Sequence, residues 1–100
     1  MIIYNVTVKV DALAHDEWLQ WMREVHIPEV IATGYFTEHK ICRILGQEDE
    51  EGMTYAIQYF CNSMSDYEFY KNEHAERLQK DHMDKFKDRY MAFRTLMEEV

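Results

Sequence analysis

Residues 2–10, IIYNVTVKV, alternate with a period of two and are rich in β-branched side chains. That pattern predicts a β-strand. Ile2, Tyr4, Val6, Val8 and Val10 share one apolar face. Ile3, Asn5, Thr7 and Lys9 share the other, mixed face. A strand with a fully apolar face must be paired and covered, so the rest of the chain has to supply partner strands and a layer to pack on them.

The following segments meet that need. Residues 13–26 place Trp18, Trp21 or Met22, and Val25 at three- and four-residue spacing, with His15, Leu19, Met22 and His26 on an adjoining stripe, which predicts a helix. Asp11 stands at or near its start. Pro28 is expected to break the helical hydrogen bonding and open a further turn, PEVIAT, closed by Gly34. Residues 35–45 read as a second strand and residues 53–62 as a third, the latter with Met53, Tyr55, Ile57, Tyr59 and Cys61 on its stronger apolar face. Between them GQEDEEG carries Glu48, Asp49, Glu50 and Glu51, a run expected at a solvated hairpin tip. Ser65 and Glu68 form a capping-box pattern opening a helix over 66–87, with a bend near Ala75. Glu73/Arg77, Glu76/Lys80 and Asp81/Lys85 are spaced to pair on its exposed side. Residues 89–97 read as a fourth strand.

The order β-α-β-β-α-β predicts an α+β, ferredoxin-like sandwich: one domain over residues 1–100, a four-stranded antiparallel sheet, and two helices on one face. Strands one and three are expected at its centre. Two helices cover only one sheet face. Met91, Phe93 and Met97 on strand four and Ala56 and Phe60 on strand three nevertheless point to the other. An identical sheet from a second chain is the expected cover, giving a homodimer.

The formal net charge of −8 argues against nucleic acid and anionic membranes as partners, since both call for clustered positive charge. No apolar run approaches the roughly 20 residues of a membrane span. The N-terminal stretch has neither a basic region nor a small-residue cleavage site, so a cytoplasmic location is expected. Cys42 should face residue 56 or 57 across the hairpin, leaving Cys61 about 14–17 Å further along. Both thiols are therefore expected to be reduced. No CxxC, HxxxH or ExxH spacing is present, and neither metal nor cofactor is expected.

Candidate ligand-binding residues are Tyr4, Trp18, Trp21, His26, Tyr55, Tyr59, Tyr67, Tyr70 and His74. Aromatics at these spacings either fill a core or line a cleft for a flat ligand, because tyrosine and tryptophan carry polar tips that need partners. His26, placed at the end of the first helix, either bonds the last free carbonyls or acts as a pocket acid or base. The negative end of a helix would raise its pKa. Asn5, Thr7, Lys9 and Gln58 are expected on the open sheet face.

The strand IIYNVTV, the segment HDEWLQWMREVHIPEVIATG, and TYAIQYF followed by SDYEFY resemble a bacterial domain-of-unknown-function family (domain of unknown function 4286) over essentially the whole chain. Its most specific stretch is carried by Trp18, Trp21, Met22, His26, Ile27 and Pro28. More distantly, the element order and the His-x-Pro resemble the dimeric α/β-barrel superfamily. That resemblance implies the fold and a dimer, while the aromatic residues above suggest a small aromatic or hydrophobic ligand held between sheet and helices. It also implies two alternatives: a cofactor-independent monooxygenase or isomerase on aromatic or quinone-like substrates with His26 as the catalytic group, and haem handling through Asn5 and His74.

Overall fold

The four strands β1 (Ile2–Asp11), β2 (Glu38–Arg43), β3 (Gly52–Cys61) and β4 (Tyr90–Glu98) form one antiparallel sheet in the order β2-β3-β1-β4. The computed structural model describes residues 1–46 and 50–100. Glu48 and Asp49 of the expected acidic tip lie outside the described residues. The fold is the α+β, ferredoxin-like one, with the two most apolar strands at its centre. Register places Val6 opposite Ile57 and Arg94, and Tyr4 opposite Tyr59 and Leu96. Along β1 and β3, Tyr4, Val8, Val10, Tyr55, Ile57 and Tyr59 are buried beneath the helices.

Each crossover is one helical arm with a widened turn in its middle. In the first, a short 3-10 turn (Ala12–Ala14) leads into α1 (His15–Trp21), a π-helical turn (Met22–His26) and α2 (Ile27–Ala32). Pro28 does not interrupt this arm. Proline lacks an N–H and its ring crowds the carbonyl four residues back. In the π turn the hydrogen bonds reach five residues back, as from Ile27 N–H to Met22 O, and Pro28 then occupies the first turn of α2, where no donor is required. Asp11 makes no side-chain cap. Gly34 closes the arm as expected, with φ +89° and its N–H on Ile31 O.

The second arm comprises α3 (Met64–Tyr70), a π turn (Lys71–Ala75) and α4 (Glu76–Lys85). Its cap is Ser63, not Ser65: Ser63 Oγ accepts from Asp66 N–H at 3.2 Å, so the helix begins and ends two residues earlier than the capping-box reading placed it. Where a bend was expected near Ala75 the arm has its π turn, ending at that residue. The cations on this arm take partners other than those the spacing suggested: Lys80 pairs with Asp84 (2.7 Å), Lys85 with Glu17 (3.8 Å), and Arg77 with His74 (3.2 Å).

β2 is shorter than residues 35–45 and mostly exposed, as an edge strand that pairs only with β3. Cys42 pairs with Ala56 and both thiols are free. The sheet face away from the helices carries Met91 (75% exposed) and Phe93 (63% exposed). On the same face Asn5 Nδ2 donates to Thr7 Oγ1 at 3.0 Å within the chain.

Candidate functional site

Tyr4 stands at the centre of an aromatic cluster because β1 is flanked on both sides and covered by the second helical arm. Its ring lies 5.4–6.1 Å from those of Phe36, Tyr59, Tyr67 and Tyr70. Burial pushes the Tyr59 and Tyr70 phenols up, so both stay neutral. The Tyr4 hydroxyl accepts from Arg94 Nε (3.2 Å) and Gln79 Nε2 (3.4 Å). Arg94, in the middle of β4, thus turns its guanidinium toward Tyr4 although the residue remains exposed.

Beside this cluster two histidines meet. The His26 and His82 rings lie 5.5 Å apart, and Trp21 stacks against both, at 5.0 and 5.7 Å. Trp18 Nε1 donates to His82 Nε2 at 2.9 Å, which assigns the proton of a neutral His82 to Nδ1. His26 Nδ1 is buried and has no hydrogen-bond partner among the described residues. Burial chiefly lowers both imidazoles, His26 to about 4 and His82 to about 3, and Arg94 pushes both the same way. Both are neutral at pH 7. The expected rise for His26 is reversed because the arm continues to Ala32, so the residue sits mid-helix in a desolvated interior and not at the negative end of a helix.

Between sheet and helices lies a cavity of about 20 Å³, lined by His26, His82, Tyr4, Tyr59, Tyr70, Gln79 and Arg94 among others. It holds about one water. Among the described residues no open cleft for a flat ligand lies between sheet and helices as expected, because Tyr59, Ile57, Leu78 and Trp18 fill the interior. Gln79 and Arg94 also line an external groove of about 550 Å³ between α4 and β4, together with Lys71, Ala75, Glu76, Lys80, Met83 and Tyr90. The two π turns supply both parts: Met22 and His26 line the cavity, and Lys71 and Ala75 line the groove. Such widened turns are common where a helix presents side chains to a site.

Of the residues singled out in the sequence, Tyr4, His26, Tyr59 and Tyr70 reach the cavity. Trp18 and Trp21 contact its histidines from outside. Tyr67 borders Tyr4 at the cluster's edge. Tyr55 belongs to a separate network with His15, and His74 packs at the surface between Tyr35 and Tyr70. Asn5 and His74 are not brought together, since Asn5 is on the face opposite Tyr4 and the helices. His82, Gln79 and Arg94 escaped the sequence reading. Two signals pointed to them: His82 interrupts the apolar i, i+4 series of Leu78 and Phe86, and Arg94 is a cation on the strand face shared by Tyr90, Ala92 and Leu96. Among the described residues no three His, Cys, Asp or Glu side chains are grouped to hold a metal ion. No helix among them is long and apolar enough to cross a membrane.

The family model described as "Domain of unknown function (DUF4286)" matches residues 1–100. No curated protein matches the chain. Solved structures share the fold. A dimeric ferredoxin-like protein from an uncultured marine organism aligns with a TM-score of 0.72 at 11% identity, covering 100% of this chain and 95% of that one. An ethyl tert-butyl ether D (EthD) family protein from Bacillus halodurans aligns at 0.68 and 14% identity, covering 100% of both chains. A provisionally assigned antibiotic biosynthesis monooxygenase from Deinococcus radiodurans aligns at 0.66 and 13% identity, covering 100% of this chain and 93% of that one. At these identities the likeness is one of fold.

Proposed function

We infer that this chain, which belongs to the DUF4286 family of unknown function, is a homodimeric, cytoplasmic protein that binds a small aromatic or hydrophobic molecule at the junction of groove and cavity. The observation that carries the reading is His26 Nδ1, a buried polar atom without a partner among the described residues, beside a space the size of one water. Buried polar atoms are nearly always bonded, and an exception needs an explanation. A ligand hydroxyl supplies one, because it can donate to or accept from either neutral tautomer. The cavity takes only the leading atom of the ligand. Its body lies in the groove, against Met83 and Tyr90.

Dimerisation is supported by Met91 and Phe93 on the uncovered sheet face, and by the description of a structural neighbour as dimeric. Two unpaired thiols accord with a reducing compartment. The net charge of −8 speaks against nucleic acid.

A second reading, a cofactor-independent monooxygenase or isomerase on aromatic or quinone-like substrates, is favoured by the same nitrogen. A neutral imidazole facing this cavity can accept a proton from a bound hydroxyl or carbon acid. Monooxygenases are named among the structural neighbours.

The test is a thermal-shift screen of hydroxylated aromatics on the native protein and on His26→Leu. The expected result is stabilisation of the native protein that disappears in the folded variant. Stabilisation by no compound, or by the same compounds in both proteins, would overturn the assignment. Turnover of a binding compound, lost in His26→Leu, would select the enzymatic reading.

A further inference from the structure

Resting on this reading of the groove, we propose that the ligand carries a carboxylate, held by the guanidinium of Arg94, with the apolar body against Met83 and Tyr90. Arg94 is a cation on the helix-covered side of the sheet, opposite Val6 in register. Its Nε is engaged with the Tyr4 hydroxyl at 3.2 Å. No carboxylate lies within ion-pair distance of it among the described residues. The Tyr4 contact fixes the plane of the guanidinium while engaging one edge only, leaving the terminal nitrogens to meet a planar anion with two parallel hydrogen bonds.

The surrounding charge points the same way. Lys71, Lys80 and Arg94 line the groove against the single acid Glu76, in a chain whose net charge is −8. Lys80 is partly committed to Asp84, at 2.7 Å. Lys71, from the π turn, and Arg94, from β4, approach from opposite walls. A locally cationic groove on an acidic protein concentrates anions there against the general field. Its other lining, Ala75, Met83 and Tyr90, is apolar, which suits an organic acid and gives nothing to a bare inorganic anion. Gln79 stands between the acid's anchor and the cavity, and lines both.

The probes are hydroxylated benzoates and cinnamates, their primary amides, and inorganic phosphate, titrated by calorimetry into native protein, Arg94→Met, Arg94→Lys and His26→Leu. The acids should bind roughly tenfold or more tightly than the amides, a ratio that Arg94→Met abolishes and Arg94→Lys restores in part. Phosphate should bind none of the four proteins measurably. Melting curves confirm that each variant is folded. Equal binding of acid and amide, undiminished acid binding in Arg94→Met, or phosphate binding as tight as the acids would each overturn the carboxylate assignment. If acid and amide bind equally and both are lost in His26→Leu, only the carboxylate assignment fails. If the Arg94-dependent preference persists in His26→Leu, only the His26 reading fails. Binding by no organic probe would overturn both.

Discussion

His15 and His26 stand on the same helical arm, and both face the sheet, but their surroundings differ in kind. His15 is saturated. Its Nδ1–H donates to Asp16 Oδ1 at 2.8 Å, its Nε2 accepts from the buried Tyr55 hydroxyl, and Arg43 Nη2 reaches the same hydroxyl at 3.5 Å. His26 is surrounded by Trp21, His82 and the cavity, and its Nδ1 has no protein partner among the described residues. A buried imidazole with both nitrogens used holds a fold together. One with an unused nitrogen beside a space for about one water weakens the fold unless a water or a ligand atom bonds it. The same contrast separates Trp18, whose N–H is used on His82, from the open guanidinium edge of Arg94.

The largest expected effect is on stability against pH. His26 and His82 have folded-state values near 4 and 3, against 6.5 when unfolded. Between pH 6.5 and those values the unfolded chain binds more protons than the folded one, so stability is full above about pH 6.5 and falls as the pH drops. The loss is at most about 1.4 kcal/mol per pH unit for each histidine, which integrates to roughly 3 kcal/mol for each by pH 4. Urea denaturation across pH 4–8 should show this slope, and His26→Leu should reduce it by about half, leaving the His82 share. An unchanged slope in that variant would erase the distinction between the two histidines.

Next in size is His15→Leu. It strands the buried Tyr55 hydroxyl and should cost about 1–3 kcal/mol at pH 7, with most of that cost absent when Tyr55→Phe is already present. A double-mutant cycle with no coupling would show that the Asp16–His15–Tyr55 network contributes nothing. Smaller still is His26→Leu at pH 7, which removes an unsatisfied atom and should change stability by less than about 1 kcal/mol in either direction. The smallest effect belongs to Arg94→Met, whose melting temperature should barely move while ligand preference changes. A large stability loss there would make Arg94 a structural group.

Much of the fold was legible because it depends on local patterns. The alternation of residues 2–10 and 53–62 is enough to place β1 and β3 at the centre, and Gly34 announces the end of the first arm. Errors came where short-range rules met a wider turn. Pro28 reads as a break until the preceding turn shifts its hydrogen bonds by one residue. Ser65 reads as a cap although Ser63, with Asp66 three residues on, offers the same chemistry. The site was half legible. Tyr4, Tyr59, Tyr70 and His26 follow from helical and strand periodicity. His82 and Arg94 gain their meaning from partners 64 and 90 residues away, Trp18 and Tyr4, and no local spacing reports such a pairing. The size of the cavity likewise depends on how Trp18, Ile57 and Leu78 fill the interior together, which composition does not reveal.

Nitrogen chemical shifts of the labelled histidine rings, followed by NMR while a hydroxylated benzoate is added at pH 7, test the central claim most directly. A saturable shift of His26 Nδ1 is expected, with a smaller one at His82 and none at His15. A His26 signal that does not move while ligand binds, or a His15 signal that moves as far, would contradict that claim.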